Sequence, residues 1–128
     1  MQIPKLYCLP TNKSNSFLSI AEKSNIPFQV KRVFWITDIK KGEIKGEHAH
    51  KRSLQLLICI SGKLKVTLEN IKGKKSEFEL NKPNQAVYIP AQYWGKIEYL
   101  ESSVILGLAS DEYDELDYIR EYKTFKSQ

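Results

Sequence analysis

The sequence predicts an all-β fold, and three observations carry that prediction. Between Lys31 and about Ile105 the chain is a series of short β-rich runs, the runs are bounded by turn-forming clusters, and helical periodicity is almost absent. Length and composition allow a packed core: 128 residues suit one domain spanning 1–128, and 41% hydrophobic with 27% charged residues lies near the globular average.

Each element follows in order. The first residues, Met1 to Cys8, hold no basic region followed by a long apolar stretch, and no window approaches the roughly 20 apolar residues of a membrane span. A cytoplasmic protein with no membrane partner is expected. Strands are predicted at Gln29 to Thr37, Ser53 to Ile60, Lys63 to Glu69, Lys75 to Leu80, Ala86 to Ile89, Gly95 to Leu100 and Val104 to Leu108. Lys40-Lys41-Gly42, Ser61-Gly62, Asn70 to Gly73, Asn81 to Asn84 and Pro90-Ala91 punctuate them as turns. The brevity of Ser61-Gly62 predicts a hairpin over Leu54 to Glu69, with Gly62 at positive φ. Ser110, followed by acidic residues, predicts the start of one or two helical turns packed on the exterior near the C-terminus.

Charge and cysteine content narrow the function classes. The formal charge is +5, yet the lysines are spread through turns and strands rather than gathered with aromatics on one element, so a nucleic acid is not expected, and the mild positive field suits an anionic small molecule equally well. Cys59 lies in the apolar run Leu56 to Ile60 and Cys8 in a quite different setting, which argues against a disulfide and for a reducing compartment.

The only two histidines stand in Gly46-Glu47-His48-Ala49-His50-Lys51. On an extended strand, side chains at i and i+2 share a face, so both imidazoles enter one space. A metal site is one reading, but the positions after the pair are Arg52, Ser53, Leu54 and Gln55, and only Glu47 or Glu98 offers a poorly placed carboxylate. Two imidazoles fall short of the three or four protein ligands a divalent ion takes. Metal-free acid-base chemistry is the other reading, because an imidazole titrates near neutrality and can move a proton beside a ketone. Neither a metal nor another cofactor is expected.

Asn25 to Val33, Gly46 to Lys51, Leu56 to Gly62 and the closing Leu108 to Arg120 together resemble the nucleotide-linked sugar 3,4-ketoisomerases, over nearly the whole chain and in order. The resemblance implies a cupin-type jelly-roll barrel that isomerises a dTDP-linked 4-keto-6-deoxyhexose to the 3-keto sugar, for amino-sugar and surface polysaccharide synthesis. It also implies a homodimer with an exchanged N-terminal strand. Carried over by position, His48 and His50 match the catalytic pair, and Arg32 and Gln55 match residues that shape or polarise the pocket.

Several positions depart from the family. Phe34 and Trp35 stand where it usually has two tyrosines, Lys45 stands in place of an arginine, and Gly95-Lys96 replaces a larger polar residue followed by glutamate. Phe34 and Trp35 point to opposite faces, so only one lines a cavity. Tyr88, Tyr93 and Trp94 flank the turn at Pro90 and are candidates for stacking on the base or sugar. The departures leave a noncatalytic sugar-nucleotide-binding relative as the alternative.

Overall fold

The computed structural model describes residues 2–128. Its strands are β1 (Lys5–Cys8), β2 (Thr11–Lys13), β3 (Phe17–Ser19), β4 (Arg32–Ile39), β5 (Ile44–His50), β6 (Gln55–Ser61), β7 (Leu64–Glu69), β8 (Lys75–Leu80), β9 (Gln85–Ile89), β10 (Trp94–Tyr99), β11 (Ser103–Ala109) and β12 (Tyr118–Ile119). One turn of 3-10 helix covers Glu115–Asp117, and a single helix, α1, covers Tyr122–Lys126.

Two five-stranded sheets face each other, one ordered β1-β9-β6-β11-β4 and the other β12-β5-β10-β7-β8, with every pairing antiparallel. The all-β jelly roll is therefore present, as a sandwich of two sheets and not a closed ring. Alternation along each strand builds the core between them: Leu57 and Cys59 of β6, Leu64, Val66 and Leu68 of β7, Val87 of β9 and Ile105 of β11 meet in one buried cluster. Cys59 is a free buried thiol and Cys8 a free exposed one.

The expected hairpin over Leu54 to Glu69 does not form. β6 pairs with β9 and β11, whereas β7 pairs with β8 and β10, so Ser61-Gly62-Lys63 carries the chain from one sheet to the other. Gly62 does take positive φ, at 105°, and a Cβ there would collide with the backbone of Ser102 and Ser103. A short Ser-Gly connection suits a hairpin and a crossing between layers alike, and pairing by distant strands decides between them.

β4 begins at Arg32 rather than Gln29, because Ile26, Phe28 and Val30 belong to an irregular segment packed on the outer face of the first sheet against Leu56, Ile58 and Tyr88. β6 is therefore covered on both sides, which explains its unbroken apolar run. Ser110 starts no helix: its hydroxyl accepts from the Leu54 backbone N–H at 2.8 Å and donates to Asp111 at 2.7 Å. Asp114 caps the 3-10 turn instead, accepting from the Leu116 N–H at 3.0 Å. The exterior helix is α1, which buries Phe125 with Ala49 and Ile119. Among the described residues no helix is long and apolar enough to cross a membrane.

Candidate active site

β5 positions the two histidines, and a bulge within it decides what accompanies them. Across to β10, Gly95 pairs with His48 and Lys96 with Gly46, so Glu47 is the extra residue. Gly46 (φ 90°) and Glu47 (φ 51°) both take left-handed conformations there. The insertion changes strand parity, which brings Lys45 to the same cavity as His48 and His50. A Cβ on Gly46 would lie 3.1 Å from the Gly95 carbonyl, so glycine permits the close approach of β5 and β10.

That cavity, of about 290 Å³, lies between the sheets. Its floor is apolar: Ile36, Leu57, Val66, Ile89, Ile97 and Ile105. Its polar lining comprises His48, His50, Gln55, Lys45 and Arg120 with the phenols Tyr93, Tyr99 and Tyr118, and Phe34 forms an aromatic wall. The Phe34 ring lies across Gly107 on β11, in space that any side chain at 107 would claim.

The two imidazole rings meet edge to face with centroids 5.0 Å apart. His48 Nδ1 lies 2.9 Å from the Gly46 carbonyl oxygen, and His50 Nδ1 lies 3.0 Å from an Asp117 carboxylate oxygen. In a neutral ring each Nδ1 therefore donates and each Nε2 is left bare as an acceptor. His50 Nε2 is buried with no hydrogen-bond partner. Both histidines sit below the ordinary imidazole pKa. For His48 the cause is burial, opposed by the Gly46 carbonyl and aided by the Arg120 charge. For His50 burial again leads, opposed by Asp117 and aided by His48 and Arg32.

Asp117 is itself firmly held. Burial pushes its carboxyl up, but the Arg52 N–H at 2.7 Å, the His50 ring and the Ser53 N–H at 3.3 Å together bring it below the usual value. β12 then lays Tyr118 beside His50 in the ladder, its ring 4.4 Å from His50 and 5.1 Å from His48 by centroid. Arg120 covers the Tyr118 ring at 4.2 Å and is fixed by Glu115, whose oxygens accept from Nε at 2.6 Å and Nη2 at 2.9 Å. Arg120, with the Tyr113 hydroxyl, lowers the Glu115 carboxyl to about 2.

The structure brings His48, His50, Phe34, Lys45, Gln55 and Tyr93 to one cavity. Arg32 stands on the same inward row of β4 as Phe34, with its guanidinium 5.6 Å from the Phe34 ring and 5.7 Å from the Tyr113 ring. Trp35 turns outward, at 67% exposure. Trp94, a candidate stacking residue, is placed elsewhere: strand alternation opposite Gly95 turns it away from the cavity onto Phe125 and Tyr122 of α1, at 5.8 and 5.4 Å. Tyr88 likewise packs on the outer face, against Tyr7 and Phe28. Sequence reasoning missed Asp117, Tyr118 and Arg120; alternation within the closing motif was the available signal, since Tyr118 and Arg120 share a face. Among the described residues, no group of three or more His, Cys, Asp or Glu side chains is placed to hold a metal ion.

Comparison with known proteins gives the chain its relatives. The family profile described as "WxcM-like, C-terminal" (FdtA) matches residues 1–128. A TDP-4-oxo-6-deoxy-alpha-D-glucose-3,4-oxoisomerase from Aneurinibacillus thermoaerophilus is 40% identical over 112 residues, covering 87% of this chain and 80% of the relative. The sugar 3,4-ketoisomerase QdtA from Thermoanaerobacterium thermosaccharolyticum, solved with TDP, superposes with a TM-score of 0.91 at 35% identity, over 97% of this chain and 92% of that one. A histidine-to-asparagine variant of that enzyme, solved with TDP-4-keto-6-deoxyglucose, superposes at 0.90 with 35% identity, over 97% and 91% of the two chains. The TDP-quinovose 3,4-ketoisomerase WlaRB from Campylobacter jejuni superposes at 0.91 with 32% identity over 100% of both chains. This chain belongs to the WxcM-like (FdtA) family and is an enzyme of the 3,4-ketoisomerase type.

Proposed function

We propose that this enzyme converts a TDP-linked 4-keto-6-deoxyhexose to the corresponding 3-keto sugar by proton transfer through an enediol, with His48 and His50 as the transfer pair. The observation that carries the reading is the pair itself: two imidazoles in one cavity, each with Nδ1 engaged, so that in the neutral ring Nε2 is left as an acceptor.

The chemistry balances without an external oxidant or reductant. One imidazole takes the proton bonded to C3, the electron pair forms a C3–C4 double bond, and the C4 carbonyl oxygen gains charge and a proton. The O3 hydroxyl then loses its proton as the C3 carbonyl forms, and C4 receives a proton. C3 is oxidised as C4 is reduced. An imidazole whose pKa burial lowers is free of its proton at neutral pH and suits the first step, and two acceptors in one cavity suit transfer between adjacent carbons and oxygens.

The apolar floor fits the methyl group that distinguishes a 6-deoxy sugar, and about 290 Å³ holds the hexose while the nucleotide lies toward the mouth. Lys45 and Arg120 at the lining supply positive charge for a diphosphate. Gln55 and Tyr93 shape the sugar subsite, and Phe34 presents a face to the ring. The relatives' complexes with TDP and a TDP-keto-sugar support the same substrate class.

The test is incubation with TDP-4-keto-6-deoxyglucose in heavy water, following deuterium at C3 and C4 and formation of the 3-keto product. Exchange is expected in the unaltered protein and a loss of at least about a hundredfold in His48→Asn and His50→Asn. Full exchange in both variants sinks the assignment.

A further inference from the structure

We propose that Arg32 is the oxyanion-stabilising residue of this enzyme: its guanidinium, beside Phe34 on the inward row of β4, holds the negative charge that develops on the sugar oxygen during enediol formation. The inference rests on the ketoisomerase reading and adds a group to it.

Four observations converge on Arg32. Of the three arginines, Arg52 and Arg120 each have carboxylates within 4.0 Å, while Arg32 has none among the described residues. Its Nε is buried and donates to nothing. A buried guanidinium N–H without an acceptor is costly, so it marks a place that an acceptor fills when substrate binds. The guanidinium is held against the Phe34 and Tyr113 rings, which fix it without neutralising it. Its charge reaches His50, where, after burial, it adds to what disfavours the imidazolium.

Phe34 supplies the chemical reason. A phenol at that cavity wall, which resemblance to the ketoisomerases leads one to expect, would donate a hydrogen bond to a developing oxyanion, and phenylalanine donates none. Arg32 offers N–H donors next to that same ring together with a permanent charge. A diphosphate is the competing oxyanion, and the burial of Nε beside Phe34, itself a wall of the cavity, favours the reacting oxygen over a group at the mouth.

Turnover of TDP-4-keto-6-deoxyglucose and calorimetric binding of TDP decide the matter. Removing one preorganised oxyanion donor costs on the order of 10²–10³ in kcat. Arg32→Gln is therefore expected to lose at least roughly a hundredfold in kcat, with the Kd for TDP kept within about threefold. Adding Phe34→Tyr to Arg32→Gln is expected to recover at least roughly tenfold. Should Arg32→Gln fail to fold, Arg32→Lys reads the same split, since lysine keeps the charge but not the planar fork, with a fall of at least about tenfold expected. A smaller loss in kcat overturns the proposal, and so does a loss of TDP affinity as large as the loss in kcat, which makes Arg32 a diphosphate clamp. An unaltered protein that binds TDP but exchanges no deuterium defeats the ketoisomerase assignment itself, and this inference with it.

Discussion

The Asp117–His50 pair sets the acid-base properties of the site at the scale of single residues. Because burial and the neighbouring charges hold both histidines below 6.5, the free-base pair persists into mildly acidic solution. The acid limb of kcat/KM is expected below pH 6.5, measured as turnover against pH. The linkage to stability has the same origin: between the folded pKa and 6.5 the unfolded chain binds more protons, so stability falls as pH drops through that window. Asp117 acts on tautomer as well as on charge, since its carboxylate fixes the proton on Nδ1. Asp117→Asn is expected to lower kcat by about 10² or more with a far smaller change in KM, read from steady-state kinetics. His48 and His50 were legible in the sequence because a period of two needs nothing beyond extended backbone. Asp117 was not, because its contact with His50 spans 67 positions and depends on where β12 docks.

Individual strands were largely legible, and their partners were not. Lys75–Leu80 is bounded as the sequence predicts because its exposed and covered residues alternate between two clear turns. Leu54 to Glu69 was misread because the local pattern of two apolar strands about Ser61-Gly62 is identical whether the chain folds back in one sheet or crosses to the next. The crossing makes Gly62 more demanding than a hairpin glycine, with φ at 105° and the Ser102–Ser103 backbone filling the space of a side chain. Gly62→Ala is expected to cost about 1–3 kcal/mol. At roughly 3–6 °C per kcal/mol for a chain of this size, thermal unfolding followed by circular dichroism reads the loss directly. The N-terminal strands escaped prediction for a related reason: β1 is held by pairing with β9, and the β2–β3 hairpin is exposed along both strands.

For the whole molecule, we propose association with a second copy through the outer face of the first sheet and the N-terminal arm. Val33 and Trp35 of β4 and Ile60 of β6 are exposed, and Phe17 and Leu18 are bare on the hairpin. A two-stranded hairpin without a packed face is marginal in water, so a partner surface is the natural support for it. Light scattering coupled to size exclusion is expected to give twice the monomer mass of 14.8 kDa, and Trp35→Glu to shift the population toward monomer. A monomer in the unaltered protein would refute the arrangement.

The place of β12 near the end of the sequence has a bearing on synthesis and on damage. His48 and His50 leave the ribosome well before the carboxylate and guanidinium that equip them, so a nascent or clipped chain ending ahead of Asp117 carries both imidazoles but lacks the proton-fixing partner. Such a fragment keeps eleven of the twelve described strands but loses Ile119 and Phe125 from behind Ala49, so turnover is expected to vanish before the sandwich does, read as activity beside circular dichroism.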